Sequence, residues 1–215
     1  MVESPLQKLG FPSKQIIEVI VSTYGDGDFP TAAPMGVMSE NDKLVLRPYT
    51  ATQTYRNLRE HKCCVVNLTT DPDLFYRTAL KEVNKDGKVP LEWFGKASTV
   101  EAPMLKKADV SIEASVVSQM NESIGRAKFI CEVLKIEVAN HMPQPYCRAT
   151  FALLESIIHA TRVKEFLPRE IKESDSLIAS ISNYKQLIEK VAPNSNYARI
   201  IDDLYSRVTS WRSES

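Results

Sequence analysis

The first two thirds of the chain contain strand-like segments separated by turn residues, with no helix of crossover length between most of them. Apolar residues alternate from Ile17 to Thr23, the turn sequence G-D-G-D follows at 25–28, and a second strand starts at Thr31 and runs to Met38. Parallel strands would need a helix at each crossover, whereas antiparallel strands are joined by short turns. The pattern therefore predicts an antiparallel sheet that closes on itself.

Two long strands near the end of this region indicate a bent sheet. In the first of them, every second residue from Val110 to Ser118 points to the same, apolar face of the strand. In the next strand the apolar parity changes between Val133 and Leu134, so one extra residue must be absorbed there. A β-bulge at this point suits a strand that bends around a barrel.

A long connection precedes these two strands. Leu74 to Glu82 is predicted to form a short helix, and Val83 to Asp109 is predicted to be irregular. Connections of this length commonly cover or build part of a fold. We expect such a role here.

Beyond residue 147 the apolar period becomes helical. One helix is predicted to end before Pro168, and a helical hairpin with a narrow apolar seam follows it. We expect the hairpin to pack against its own barrel or a second subunit, with a partner-binding groove as the alternative. The predicted division is a barrel domain at residues 14–147 and a helical subdomain at residues 148–215. The apolar positions used are Phe151, Leu154, Ile158 and Thr161, then Leu177, Ile181, Tyr184, Ile188 and Val191, then Tyr197, Ile201, Leu204, Val208 and Trp211.

Charge and hydropathy argue against several classes of partner. The 215-residue chain has 27 basic and 27 acidic residues and a sequence pI of about 6.8. Without a net field, neither nucleic acid nor an anionic membrane is expected as a partner. No apolar run approaches the ~20 residues that span a bilayer, and the N-terminal residues show no signal core. We therefore expect a cytoplasmic protein.

Cysteines and histidines show no metal-site or triad pattern. The four cysteines, at positions 63, 64, 131 and 147, form no C-x-x-C pair and are expected to be buried thiols. His61, His141 and His159 lie in separate predicted elements and are expected at surface or cap positions. His159 has an alternative, because its helix is predicted to reach the barrel mouth if the chain folds back.

Residues 44–58, L-V-L-R-P-Y-T-A-T-Q-T-Y-R-N-L, run from a strand into a helix start. Thr50 with Gln53 fits a capping box, which predicts a helix that begins near Thr50. The unpaired N–H groups and positive dipole end of such a helix favour an anion. This pattern indicates a phosphate site, although many capped helices bind no ligand. Its candidate side-chain donors are Arg47, Thr50, Thr52 and Thr54.

Two strand positions are suited to a flat ligand. Gly36 leaves main chain without a covering side chain, and Pro34 predicts that this strand is an edge or is bulged; an ordinary bulge is the alternative. Asn67 shares a face with Val65 and Cys63 on a predicted fourth strand. A buried amide needs a partner, which is either a ligand or a neighbouring backbone group.

The chain lacks the motifs of dinucleotide-binding, P-loop, serine-hydrolase and zinc-protease sites. A phosphate site beside uncovered main chain, without an evident nucleophile or acid–base pair, suits a cofactor that supplies its own chemistry. FMN fits this description. Its phosphate needs donors such as those of residues 47–54, its ring needs main chain such as 34–37, and its pyrimidine edge can bind an amide such as Asn67.

The same residues resemble a known group of proteins. The order G-D-G turn, A-A-P-M-G-V, R-P-Y-T-A-T-Q-T-Y-R-N-L and C-V-V-N-L-T-T-D is similar to the flavin-reductase-like FMN-binding split barrels. The resemblance runs from about Lys14 to Asn140, and it is greatest to an uncharacterised archaeal family of predicted flavoproteins with a C-terminal helical extension. It implies a mainly β (α+β) fold: a six-stranded antiparallel split barrel with a C-terminal helical subdomain.

The resemblance also implies an assembly and a site. The expected assembly is a homodimer with FMN near the subunit interface and a site that the second chain completes. Catalytic residues stay unassigned. By motif position, Met35, Gly36 and Val37 would contact the ring, Arg47, Thr50, Thr52 and Thr54 the phosphate, and Asn67 the ring edge, with Arg162 added from its position alone.

Three functions remain open at this point, because split barrels host several chemistries. The first is an FMN-dependent oxidoreductase that relays hydride or electrons from a reduced nicotinamide or deazaflavin to a small acceptor. The second is a non-catalytic FMN-binding dimer whose helical tail docks a partner. The third is a barrel with another phosphate-bearing ligand or none.

Overall fold

The computed structural model describes residues 4–139, 146–167 and 170–214. The chain divides into a barrel unit, Met1–Ser13 with Ile17–Tyr146, and a helical unit, Lys14–Ile16 with Cys147–Ser215. The strands are β1 (Ile17–Gly25), β2 (Phe29–Glu40), β3 (Lys43–Leu46), β4 (Cys63–Leu68), β5 (Phe94–Lys96), β6 (Pro103–Leu105), β7 (Val110–Ser123) and β8 (Arg126–Val138). The helices are α1 (Pro5–Lys8), α2 (Gln53–His61), α3 (Pro72–Ala79), α4 (Arg148–Phe166), α5 (Ile171–Val191) and α6 (Asn196–Ser213).

Six strands form a closed barrel in the order β1-β2-β3-β8-β7-β4, and neighbouring strands are antiparallel. Val19, Leu46 and Phe129 are fully buried within this unit. β5 and β6 pair separately as a small hairpin. The prediction of a six-stranded antiparallel barrel followed by helices is confirmed.

The ladder between β2 and β3 is shorter than the ladder between β2 and β1. β1 pairs with β2 over the whole length of β1, from Gly25↔Phe29 to Ile17↔Val37. β2 pairs with β3 only from Val37 to Glu40. Pro34 therefore lies on a stretch with no β3 partner, as expected for a residue that has no N–H to give to a ladder.

A β-bulge interrupts the pairing of β7 with β8. Glu113 pairs with Lys135, but the next residue, Ala114, pairs with Val133. Leu134 is therefore the extra residue of the bulge. The change of apolar parity in the sequence predicted this feature at the correct position.

The segment between β4 and β7 covers one face of β1 and β2. Ile20 and Ala32 of these strands pack against Leu74, Phe94 and Leu105 of the segment. This agrees with the expected covering role. The helix predicted from Leu74 to Glu82 begins and ends earlier, as α3, and residues 81–83 form a 3₁₀ turn.

In the helical unit, each of α4, α5 and α6 packs against the other two. The predicted seam of the last two helices is confirmed at its central positions. Its fully buried members are Ile181, Ile188, Val191, Ile201 and Val208.

The apolar positions that predicted α4 do not form its buried face. Phe151 and Leu154 are 52% and 54% exposed, whereas Ala152, Ala160 and Val163 are buried. α4 is apolar on both faces, so periodicity alone did not identify the packed one. The side chain of Thr161 and all of His141 lie outside the described residues.

All four cysteines are free and buried, which confirms that prediction. Burial raises the pKa of the Cys63 thiol, and a hydrogen bond with Cys131 together with burial raises that of Cys64. Both effects keep these thiols protonated and unreactive. Among the described helices, none is long and apolar enough to cross a membrane.

Candidate functional site

Strand polarity brings three segments to one end of the barrel. β1, β3 and β7 run in the same direction, so their C-terminal ends lie together. α2 follows β3 and crosses this end. The Asn57 amide nitrogen donates to the Thr23 hydroxyl at 2.9 Å, and a Cβ on Gly25 would be 2.9 Å from the Gln53 side-chain nitrogen. We call this region the α2 end of the barrel.

The β2–β3 ladder ends at Val37 and Leu46, and beyond it residues 29–36 of β2 and residues 47–53 after β3 have no ladder between them. At one limit of this stretch of β2, Arg47 Nη1 is 3.8 Å from Met38 Sδ. At the other limit, Gln53 approaches Gly25, the pairing partner of Phe29. The residues predicted for the ring and those predicted for the phosphate therefore adjoin the end of the same ladder.

The helix of the predicted phosphate site begins later than expected. α2 starts at Gln53, and its N-cap is Thr52, whose hydroxyl accepts from Tyr55 N at 3.3 Å and donates to Tyr49 O at 2.7 Å. Thr50 N instead donates to Gly125 O at 2.9 Å, on the β7–β8 turn. The prediction of a capping box at Thr50 is wrong. The hydrogen bond to Gly125 and the turn at 49–52 hold Thr50 outside the helix.

Several donors remain free at this helix start. Within the described part of the chain, the N–H groups of Gln53 and Thr54 and the hydroxyls of Thr50 and Thr54 make no hydrogen bond. Unpaired N–H groups at a helix N-terminus favour an anion. Thr50 and Thr54 fit the predicted role, whereas the Thr52 hydroxyl is already used as the cap.

Arg47 has a protein anion as its partner. Its Nε donates to both carboxylate oxygens of Glu122 at 2.9 Å, and the two side chains are 26% and 37% exposed. The sequence pattern predicted that this guanidinium would be available for a bidentate phosphate contact. In this structure a carboxylate occupies one edge of it.

The three predicted ring residues differ in accessibility. Met35 and Gly36 are half-buried and lie on the stretch of β2 that pairs with β1 but not with β3. Val37 is 0% exposed and pairs with both Ile17 and Leu46. Val37 is thus a core residue of the barrel, and we leave it out of the site.

Asn67 has its partners inside the protein. Its amide nitrogen donates to Ile20 O at 3.0 Å and to Ser22 Oγ at 2.9 Å, and its amide oxygen accepts from Leu105 N at 2.9 Å. The side chain is 0% exposed. The structure therefore supports the backbone alternative for Asn67 and corrects its assignment to the ring edge.

Arg162, His61 and His159 lie on helices. Arg162 is exposed on α4 in the helical unit, and its role stays a prediction. His61 is in the last turn of α2. The His159 ring lies 5.9 Å from that of Tyr184 on α5, and the residue is half-buried. The described residues contain no group of three or more metal-ligating side chains.

Two polar residues of the structure were not singled out by sequence reasoning. Lys81 is half-buried and donates to Thr31 Oγ1 at 2.7 Å. Glu113 is 1% exposed and accepts hydrogen bonds from the backbone and hydroxyls of Ser98 and Thr99. One signal was available for Glu113, since an acidic residue stands within an apolar strand pattern. Lys81 has no such signal.

Known structures share this fold. An FMN-bound protein from Methanosarcina mazei is 22% identical, with a TM-score of 0.56 over 94% of this chain and 99% of that chain. A protein with a split barrel domain from Shewanella frigidimarina is 13% identical, with a TM-score of 0.51 over 65% and 76%. The flavin reductase component of a bacterial two-component tryptophan halogenase is 17% identical, with a TM-score of 0.50 over 65% and 89%. The flavin-reductase-like split barrel is thereby confirmed as the fold.

A family model identifies the barrel more closely. The model described as "Protein of unknown function (DUF447) N-terminal domain" matches residues 17–140, from β1 to just beyond β8. The Methanosarcina mazei protein is assigned to the same family. Because the match spans more than half of the chain, this protein belongs to the DUF447 family.

Proposed function

We propose that this protein is a flavoprotein that binds FMN between β2 and residues 47–54. The observation that carries the proposal is the end of the β2–β3 ladder at Val37 and Leu46. Beyond it, β2 keeps β1 as a partner but has no β3 partner on its other side, and residues 47–52 lead into a helix start with free donors.

The residues present fit the two ends of FMN. The free N–H groups of Gln53 and Thr54 and the hydroxyls of Thr50 and Thr54 suit a phosphate dianion. Met35 and Gly36 lie on the stretch of β2 that has no β3 partner, and this stretch suits a flat ring. The FMN carried by the related Methanosarcina mazei protein supports the choice of cofactor.

The function we propose is that of an oxidoreductase. Bound FMN supplies the capacity to accept a hydride from a reduced nicotinamide or deazaflavin and to pass electrons to a small acceptor. The residues of this chain would bind the phosphate, orient the ring against β2 and limit the access of water. The shared fold with a flavin reductase supports this general class.

A second candidate is a non-catalytic FMN-binding dimer whose helical tail docks a partner. The exposed apolar side chains of α4, including Leu154 at 54% and Ile157 at 41%, favour it. A flavin carrier and an enzyme differ in one measurable respect. Only the enzyme should be reduced rapidly by a small hydride donor.

The experiment is a calorimetric titration of the purified protein with FMN, followed by spectroscopy. We expect saturable binding of FMN and weaker binding of riboflavin, which lacks the phosphate. Anaerobic addition of NADH, NADPH or a reduced deazaflavin should then bleach the flavin absorbance. Absence of FMN binding by folded protein contradicts the proposal, and binding without bleaching by any donor favours the second candidate.

Gly36→Val is expected to abolish measurable FMN binding while the fold is retained. Gly36 has no positive φ, so β2 can accept valine there without backbone strain. The new side chain would cover main chain on which we place the ring. The measurement is FMN titration together with thermal unfolding of the variant.

Gly95→Ala is the matched control for loss of a glycine. Its Cβ would meet Met104 at 3.4 Å, an ordinary contact, on the β5–β6 hairpin. This variant should bind FMN like the wild type. Full FMN occupancy in Gly36→Val would show that the ring lies elsewhere.

We also propose that the protein is a homodimer. Val117, Met120 and Ile124 on the β7–β8 arm are 47%, 46% and 106% exposed. Apolar side chains grouped in this way are commonly covered by another subunit. Sedimentation velocity measures the assembly directly, and a monomer mass at high concentration would contradict the proposal.

A further inference from the structure

Lys81 carries a partly buried positive charge with only a neutral partner. Its Nζ donates to Thr31 Oγ1 at 2.7 Å. Among the described residues no carboxylate pairs with Lys81. Burial lowers the pKa of the Lys81 ammonium, since the charged form loses water without gaining an anion. An anionic ligand would compensate the buried positive charge of Lys81.

The ammonium lies at the α2 end of the barrel. Thr31 pairs directly with Thr23, and directly paired residues place their side chains on the same face of a sheet. Thr23 in turn accepts the hydrogen bond from Asn57 of α2. Lys81 therefore reaches the face that α2 covers. It does so on the stretch of β2 that has no β3 partner.

A second cation lies nearby without a carboxylate partner in the described chain. Lys88 Nζ is 4.4 Å from the centre of the Phe29 ring, two residues before Thr31 on β2. Asp26 and Asp28 precede Phe29, yet neither forms an ion pair with Lys81 or Lys88. Arg47, the cation that the sequence analysis favoured, is neutralised by Glu122. The positive charge at this end that no carboxylate neutralises therefore includes lysine charge from the connection between β4 and β7.

We propose that Lys81, together with the Thr31 hydroxyl, binds a phosphoryl group at the α2 end of the barrel. This inference rests on the proposed function, because the group is either the phosphate of FMN or a phosphate of the hydride donor. Both sources present the same chemistry to an ammonium and a hydroxyl. The phosphoryl group belongs to FMN in the first case and to the hydride donor in the second, so titrations with different ligands can distinguish the two.

The test uses the full chain with Lys81→Met, which keeps the length of the side chain and removes its charge. Lys85→Met is the matched control, because Lys85 is exposed and four residues away. Each protein is titrated in a calorimeter with FMN, with riboflavin and with inorganic pyrophosphate. Thermal unfolding without ligand verifies that the variants are folded.

If Lys81 binds the phosphate of FMN, Lys81→Met should weaken FMN about 10- to 100-fold, the effect of losing a charge-assisted hydrogen bond, and leave riboflavin unchanged. If it binds the donor, FMN affinity should persist and pyrophosphate affinity should fall. Either result supports the inference, provided that Lys85→Met behaves like the wild type. If Lys81→Met binds FMN and pyrophosphate as the wild type does, Lys81 is not a phosphoryl ligand.

The same titrations distinguish failure of the proposed function from failure of the inference about Lys81. A wild-type protein that binds no FMN overturns the proposed function, whereas pyrophosphate binding that depends on Lys81 would still establish this anion site. If the wild-type protein binds FMN and Lys81→Met binds FMN and pyrophosphate equally well, the proposed function stands and the inference about Lys81 is wrong.

Discussion

Replacement of Glu113 by glutamine is expected to lower the free energy of unfolding of the barrel unit by about 3 kcal/mol near neutral pH. Glu113 lies on β7 and is 1% exposed. It accepts from Ser98 N at 3.1 Å, Ser98 Oγ at 3.0 Å and Thr99 N at 2.6 Å, and also from the Thr99 hydroxyl. It therefore fastens the loop between β5 and β6 to the barrel.

The size of this effect follows from two opposed influences on the carboxylate. Burial by itself would raise the pKa of Glu113, but the four hydrogen bonds outweigh burial and lower the pKa from 4.5 to about 2. A glutamine keeps one acceptor oxygen and turns a donor toward Thr99. The variant thus loses charge-assisted bonds and leaves buried donors poorly satisfied.

The same group makes stability depend on pH. Its native pKa is below its ordinary value, so the unfolded state binds more protons between the two. The stabilisation is complete above pH 4.5, declines as the pH falls toward about 2, and is absent below that. Glu113→Gln should lack this share of the acid sensitivity.

Urea unfolding at several pH values, followed by circular dichroism of the sheet, measures both effects. Glu101→Gln is the control, because Glu101 lies in the same loop with its side chain 82% exposed, and its ion pair with Lys96 should contribute little. A Glu113→Gln protein as stable as the wild type at neutral pH would refute the assigned role.

Asn67→Ala is expected to destabilise the protein by about 3 kcal/mol or more without any ligand present. The substitution removes a fully buried amide that links β1, β4 and β6. Leu105 N would lose its acceptor and Ser22 Oγ would lose its donor. Buried groups left without partners account for most of the expected loss.

This prediction separates a structural amide from a ligand-binding one. If Asn67 served only the ring edge, unfolding of the FMN-free protein would not change. Asn121→Ala, at an exposed site on β7, is the control and should stay close to the wild type. Denaturant unfolding of the three proteins without FMN therefore decides between the two roles.

Much of the fold was predictable because its signals are local. Alternation identified the strands, and the parity change at Leu134 located the bulge, since each side chain of a strand must point to one face or the other. Turn residues after β1 indicated antiparallel pairing. The start of α2 was placed wrongly, because Thr50 is held by Gly125, a partner that is distant in the sequence.

The candidate site was predictable in part. Gly36 lies near the end of the β2–β3 ladder and Thr50 and Thr54 lie near the start of α2, and their part in binding a ligand stays a prediction. Asn67 and Val37 were assigned to the ligand because their residue types and positions suited it. Their complete burial became visible only when the neighbouring strands and the covering segment were in place.

The sequence by itself determined the strand pattern, the antiparallel closure, the helical period of the tail and the family. These depend on periodicity and on residues close together in the chain. Only the tertiary structure decided which charges are neutralised and which are not. Arg47 meets Glu122 across 75 residues and Lys81 meets Thr31 across 50, and an ion pair or a buried cation exists only once folding has brought such groups together and removed their water.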